Sequence, residues 1–250
     1  LNVKDKLELL RNKIKIKGFL GEYLGFGGFP EAILSKDKKQ LLLTLFEDII
    51  TKDIEKRYDV KEKTKLRALA KFYLTNISNT ITFNSLKNYL NTTTKTIEKF
   101  SSYLEEANML FFTKRFSYKF KEQEKSPRKI YAMDVGLANA IGFKFSSNIG
   151  RIAENIVAIE LRRKEKSELN LEVYYWKNPQ HEEVDFAIKE GLKMKKLIQV
   201  CWNINEYKTK EREVRSLLKA SKEVKCNNLF IITEDYEAKE EIGGKKILFM

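Results

Sequence analysis

The run HEEVDFAIKEGLKMKKLIQVCW, residues 181–202, decides how the second half of the chain folds. It reads as two strands joined by a short turn, each with the period of two of a half-buried strand. Side chains alternate faces along a strand, so Glu183, Asp185 and Ala187 share one side. Leu197, Gln199 and Cys201 likewise share one side. A hairpin between the strands brings Asp185 beside Gln199. A carboxylate among apolar residues is expensive to bury unpaired. The expected partners of Asp185 are Lys177, Lys196 or backbone donors.

Working outward, RIAENIVAIELRRK (151–164) is apolar nearly all round and predicts a buried helix. LEVYYW (171–176) predicts a strand. TKEREVRSLLKASKEV (209–224) predicts a helix with Val214, Leu217 and Leu218 on one face, and NNLFIIT (227–233) and KKILFM (245–250) predict strands. The order is α-β-β-β-α-β-β. Glu154 falls on the first helix, Asp185 31 residues later on the second strand, and Gln199 14 further on, on the third.

In order and in motif placement this half resembles the restriction-endonuclease-like, PD-(D/E)XK, superfamily. The chemistry of that site explains its acids. Mg²⁺ prefers carboxylate oxygens in near-octahedral geometry, polarises the scissile phosphate and lowers the pKa of the attacking water. A lysine two residues after the second acid helps hold that water. Here the acid position is Gln199 and the lysine position is Cys201. Glu154, Asp185 and Gln199 are therefore the candidate catalytic set of a vestigial nuclease site. Asp185 and Gln199 would ligate Mg²⁺ only if the site were active, with Lys177 or Lys196 as a migrated lysine. His181 has no nucleophile partner and reads as a turn residue.

The first half has a different grammar. KDKLELLRNKI (4–14) and LLLTLFEDIITKDIEKRY (41–58) show apolar spacings of three and four and predict helices. Between them lies YLGFGGFPEAIL, where Gly25, Gly27 and Gly28 break the pattern and Pro30 suits the first turn of a new helix. A glycine-rich loop before a helix can cradle phosphate. The Lys-Ser/Thr that completes a P-loop is missing, so a tight hinge or packing turn is the expected reading.

KLRALAKFYLTNI (65–77) predicts an amphipathic helix and TFNSLKNYL (82–90) a short one, followed by a turn at Asn91. A third helix, with Ile97, Phe100, Leu104 and Ala107 inward, is capped by Thr92 or Thr93. Two strand-like runs, LFFTKRFSYKF and RKIYAMD, flank the charged stretch KEQEKSP. This is the plan of a winged helix-turn-helix. Thr94, Lys95, Glu98, Lys99 and Ser102 would face outward, and Lys114, Arg115, Lys119 and Lys121 would lie on or near the wing. Lys95, Lys99, Ser102, Lys114, Arg115 and Lys119 are the candidate nucleic-acid contacts. Lysines and hydroxyls suit phosphates, which position a protein without reading sequence.

Composition agrees with a polyanion partner. Lys and Arg number 48 against 35 Asp and Glu, a formal net charge of +13 that favours nucleic acid. Many lysines alternate with glutamates, the pattern of a solvated surface. No apolar run reaches the ~18 residues of a membrane span, and no export signal opens the chain. Two cysteines, Cys201 and Cys226, form no zinc spacing; with the missing export signal they point to the cytoplasm.

Taken together, GGFPEAIL, KIYAMDVGLANAI, GRIAENIVAIEL, YYWKNPQHEEVDFAI, LIQVCW, KTKEREVRSLLKA and LFIIT resemble one group of proteins across residues 20–250. These are archaeal and bacterial AAA-type ATPases whose C-terminal half is a winged helix joined to a nuclease-like domain of unknown function. The resemblance implies an ATP-binding module upstream, since these residues contain no Walker A motif. The opening Leu1 fits a fragment. The expected organisation is a helical lid-like segment over 1–60, a winged helix-turn-helix over 61–135 and a restriction-endonuclease-like α/β domain over 136–250. The expected function is nucleic-acid binding, with DNA and the upstream ATPase domain as partners. The alternatives are an active Mg²⁺-dependent DNA endonuclease and a protein-interaction module of the ATPase. No cofactor is expected in this chain itself.

Overall fold

The computed structural model describes residues 3–142 and 149–250. Helix α1 (Val3–Phe26) runs through Gly25 and ends at Gly27, whose φ of +74° suits glycine alone. Pro30 opens α2 (Pro30–Leu34), and Asp37 caps α3 (Lys38–Asp48) by accepting from the Gln40 amide at 3.0 Å. The chain then passes directly into a π-helix, Ile49–Lys56. The single helix expected over 41–58 is thus divided between two geometries. Glu55, on the π segment, is buried and accepts from Arg67 Nε at 2.7 Å.

Next come α4 (Lys63–Thr75), β1 (Thr80–Ile81), α5 (Phe83–Tyr89) and α6 (Thr94–Glu106). Thr82 caps α5 and Thr93, not Thr92, caps α6, each hydroxyl accepting an amide at 3.1 Å. Asn91 takes a φ of +46° in the turn between them, a conformation asparagine tolerates. Ile97, Phe100 and Leu104 are buried, as their spacing predicts. β2 (Leu110–Arg115) and β3 (Arg128–Ala132) pair antiparallel, and the charged stretch between them forms a helix, α7 (Phe120–Lys125).

The remaining elements are α8 (Val135–Ile141), α9 (Ile149–Ser167), β4 (Leu171–Lys177), β5 (Glu183–Glu190), β6 (Lys193–Val200), α10 (Tyr207–Glu223), β7 (Leu229–Ile232), β8 (Ala238–Ile242) and β9 (Lys245–Phe249). β8 was not foreseen, because AKEEI carries no apolar alternation. It is an edge strand paired only with β9, where charged side chains are tolerated and discourage stray pairing.

All the strands join one mixed sheet in the order β1-β3-β2-β4-β5-β6-β7-β9-β8. The seam is the short parallel contact of β2 with β4, Lys114 opposite Tyr174 and Arg115 opposite Tyr175. The class is mixed α/β. One core, from Leu24 through Tyr73 and Tyr131 to Phe186 and Ile198, lies under α8 and α9 and spans residues on both sides of position 135. A second core, with Trp176, Leu197, Leu217, Ile231 and Phe249, lies between α10 and the opposite sheet face.

Asp134 ties the first helices to this core. Its Oδ1 accepts from the amides of Gly136 and Leu137 at 2.7 and 3.2 Å, capping α8. Its Oδ2 accepts from the Gly28 amide at 2.7 Å. Asn139 completes the joint by donating to Leu24 O at 2.7 Å and Gly25 O at 3.0 Å, carbonyls at the end of α1. A Cβ on Gly27 would stand 2.0 Å from Asp134 Oδ1, and one on Gly136 would stand 2.1 Å from Phe26 O. The glycine loop is a packing turn closed on a carboxylate of the same chain. Asp134→Ala should therefore lose about 2–4 kcal/mol in urea unfolding, combining a lost buried cap with a lost tie to the part-buried Gly28 amide. A loss below about 1 kcal/mol would contradict this role for Asp134.

Candidate functional site

The site is built around a lysine. Lys129 is the second residue of β3 and is only 1% exposed. Its ammonium Nζ donates to Glu183 Oε1 at 2.7 Å, Asp185 Oδ1 at 2.8 Å and Glu154 Oε1 at 2.9 Å. An ammonium has three N–H donors, and here each meets a carboxylate. Tyr131, two residues along the same strand face, donates to Glu154 Oε1 at 2.6 Å. Lys177 donates to the other oxygen of Glu183 at 2.8 Å.

Three elements deliver these groups. β3 supplies Lys129 and Tyr131, α9 supplies Glu154, and β5 supplies Glu183 and Asp185; Ala187, expected on their side, packs instead in the second core with Val184, because the β4–β5 pairing shifts register between them. Next to Glu154, Asn155 locks α9 to β3, donating to Ala132 O and accepting from Ala132 N, both at 2.8 Å.

The β5–β6 ladder stops at Phe186 opposite Ile198. Beyond that pair, side chains replace backbone partners. Asp185 Oδ2 accepts from the Val200 amide at 2.9 Å, and Gln199 Oε1 accepts from the Asp185 amide at 3.2 Å. The Gln199 amide nitrogen turns to α10 and donates to Glu213 Oε2 at 2.6 Å, while Arg212 holds the other oxygen of Glu213. Asp185 and Gln199 are neighbours, but their functional ends face different elements.

Charge and burial push the members of the cluster in opposing directions. For Lys129, burial opposes the charge, but Asp185, Glu154, Tyr131 and Glu183 outweigh it and hold the ammonium well above its ordinary range. Glu154 is pushed up to about 8 by burial and by Asp185, against the pull of Lys129. Burial would raise Glu183 too, but Lys129 and Lys177 hold it below the usual carboxylate range. A proton held on Glu154 lowers the negative charge gathered around Lys129. The Cys201 thiol is pushed up to about 11 by burial and by Glu213, so it is a neutral filler at the position the nuclease pattern gives to a lysine.

The predicted set Glu154, Asp185 and Gln199 is thus only partly convergent. Glu154 and Asp185 meet on one point, and Gln199 does not reach it. The lysine at that point is neither Lys177, which sits at the rim on Glu183, nor Lys196, which is exposed. Glu183, Tyr131 and Glu213 also belong to the network. Divalent-ion binding needs open oxygens in a near-octahedral set. Both Asp185 oxygens and Glu154 Oε1 are engaged, and an ammonium stands where the acids converge. Among the described residues no group of three or more His, Cys, Asp or Glu is disposed to hold a metal. These residues, so arranged, do not fit Mg²⁺.

Of the candidate nucleic-acid contacts, Lys95, Lys99 and Ser102 lie exposed on α6 at spacings of four and three, one face of that helix. Ser102 donates to Glu106 at 2.8 Å, and Lys99 covers the Tyr103 ring at 5.7 Å. Lys114 and Arg115 are half-buried at the β2–β4 seam rather than on a free wing, because β4 occupies that strand edge. Lys114 pairs with Glu124. Lys119 is exposed and pairs with Glu122 at 3.1 Å.

Glu154 makes stability depend on pH in a defined direction. A carboxyl whose folded pKa lies near 8 binds its proton more tightly folded than unfolded. Its contribution is complete below the unfolded value of about 4.3 and is lost as pH rises through about 8. Glu154→Gln keeps Oε1 as acceptor for Lys129 and Tyr131 and removes the titration. Urea unfolding should show wild-type stability falling relative to Glu154→Gln between pH 5 and 8. Parallel curves for the two proteins would contradict this protonation state.

Comparison with known proteins places the chain among relatives of open function. Residues 18–148 match a family model described as Domain of unknown function (DUF8612), and residues 149–248 match Domain of unknown function (DUF4143). Domains of the second kind are often found at the C-terminus of AAA-ATPase-like proteins. The chain is similar to an uncharacterized protein of Methanocaldococcus jannaschii, 35% identical over 251 residues, covering 96% of this chain and 55% of that protein. It is also similar to an uncharacterized protein of Haemophilus influenzae, 28% identical over 237 residues, covering 92% of this chain and 56% of that protein. The chain therefore spans about half the length of these curated relatives. No solved structure matches. Among the described residues no helix is long and apolar enough to cross a membrane. Because the first of these family models covers more than half of its residues, the chain belongs to the DUF8612 family.

Proposed function

We propose that this chain is a nucleic-acid-binding region of an AAA-type ATPase, in which a winged helix is fused to a nuclease-like domain that no longer cleaves. The observation that carries the reading is Lys129. Its ammonium fills the convergence point of Glu154, Glu183 and Asp185, the place a hydrolytic metal would need. The frame is then a rigid platform, and its working part is the basic surface.

Three features support the finer assignments. The succession α4, β1, α5, α6, β2, β3, with β3 between β1 and β2, follows the winged-helix plan, and α6 would be the helix laid against a duplex. α9, the antiparallel strands β4 to β6, α10 and the parallel strand β7 follow the plan of the nuclease-like core. The excess of 13 positive charges supplies the attraction to a polyanion. The helix-face lysines suit phosphates, so binding would be weakly selective for sequence.

Fluorescence anisotropy with a labelled duplex tests the reading. Engaging about four phosphates predicts a roughly hundredfold weaker affinity at 200 mM than at 50 mM salt, through counterion release. Lys95→Glu with Lys99→Glu should weaken low-salt binding at least about tenfold while leaving the melting temperature unchanged, because both side chains are exposed. The duplex should remain intact with Mg²⁺ or Mn²⁺ present. Absence of binding at low salt would overturn the reading, and metal-dependent cleavage lost in Asp185→Ala would replace it with an active endonuclease.

A further inference from the structure

A groove of about 750 Å³ opens between α7, the turn joining β5 to β6, and the end of α10. Its wall carries aromatic rings turned to solvent. Tyr118 is 76% and Phe120 74% exposed, far more than large aromatic side chains usually are. They belong to the run Tyr118-Lys119-Phe120-Lys121, in which rings and ammoniums alternate. Tyr118 does not hang free. Phe116 meets it edge-to-face at 5.0 Å, and Tyr174 in turn meets Phe116 at 5.7 Å. The outermost ring is thus mounted on two others packed against the sheet.

The groove's charge is one-sided. Lys114, Lys189, Lys193 and Lys225 line it against a single acid, Glu172. Glu172 is already paired with Lys189 and accepts from the Tyr174 hydroxyl at 2.9 Å. Among the described residues, Lys193 and Lys225 have no carboxylate partner. Leu192, at the β5–β6 turn, is 98% exposed and adds an apolar edge opposite the rings.

We propose that this groove binds unpaired nucleobases of a single-stranded nucleic acid, with bases stacked on Tyr118 and Phe120 and phosphates held by Lys193 and Lys225. It rests on the nucleic-acid reading above for its ligand class and adds a second site with a different ligand form. Every base has a planar π-face, so such a platform tolerates any sequence. A duplex cannot use it, because its base faces already cover one another. An uncharged apolar segment would desolvate lysines without pairing them. An acidic peptide would satisfy the lysines and leave the rings uncovered.

The test uses a fluorescein-labelled oligothymidine, a duplex of equal length and a labelled oligoglutamate, each titrated against the wild-type chain, the Tyr118→Ala/Phe120→Ala variant and the Lys95→Glu/Lys99→Glu variant. Melting temperature confirms folding, and both rings are mostly solvent-exposed, so their removal leaves the core in place. The rings' loss should weaken oligothymidine binding at least about tenfold and leave duplex binding within about twofold, while the α6 variant should do the reverse. Oligothymidine bound equally well without the rings would overturn the stacking site. So would oligoglutamate bound as tightly as oligothymidine with the same loss, which would make the groove an acidic-peptide site. Duplex binding without single-strand binding would sink this inference alone. Single-strand binding through the rings without duplex binding would sink only the α6 reading. Binding of neither would sink both.

Discussion

A lysine ammonium enclosed by three carboxyl groups holds the two parts of this sheet together. Either side of the cluster alone would be prohibitive: a buried ammonium without acids, or converging acids without a cation. Together they saturate one another, and burial beside Asp185 favours a proton on Glu154. In the sheet order β2 and β4 lie between β3 and β5. The backbone seam there is a short parallel contact, so the side-chain cluster bridges strands that the ladder joins only weakly. Removing one member of such a group costs about 3–5 kcal/mol, because the others remain buried.

The same geometry decides what the site can do. Hydrolysis of a phosphodiester at such a frame calls for open oxygens and a polarised water. Here Asp185 gives both oxygens to Lys129 and Val200, Gln199 reaches back to Glu213, and Cys201 is a neutral thiol. The residues that would act on a substrate are occupied with one another. What the chain offers outward is charge, on α6 and around the Tyr118 groove.

Much of the fold was legible because it rests on local rules. The apolar spacing of α6, the alternation of β6, the cap at Thr93 and the turn at Asn91 are all written in a few adjacent residues. β8 was not, because an edge strand needs no apolar face. The π-helix was not, because its burial of Glu55 depends on Arg67, twelve residues away. At the site, Glu154 and Asp185 were readable as acids in apolar surroundings. Lys129 was missed because it stands beside Arg128 at the edge of the apolar run Ile130–Ala132, where a charge reads as solvent-facing. Spacing alone could not join the two, since 56 residues separate Lys129 from Asp185. The direction of Gln199 depends on Glu213 of α10, which no strand pattern encodes.

The most direct measurement is the melting temperature of wild type and Lys129→Ala as Mn²⁺ is added. If the ammonium fills the cation position, the wild type will not respond. Lys129→Ala will start markedly lower and climb with Mn²⁺, because an ion that binds only the folded form stabilises it by mass action. A wild-type midpoint that climbs with Mn²⁺ as steeply as the variant's, or a variant as stable as wild type without metal, would contradict it.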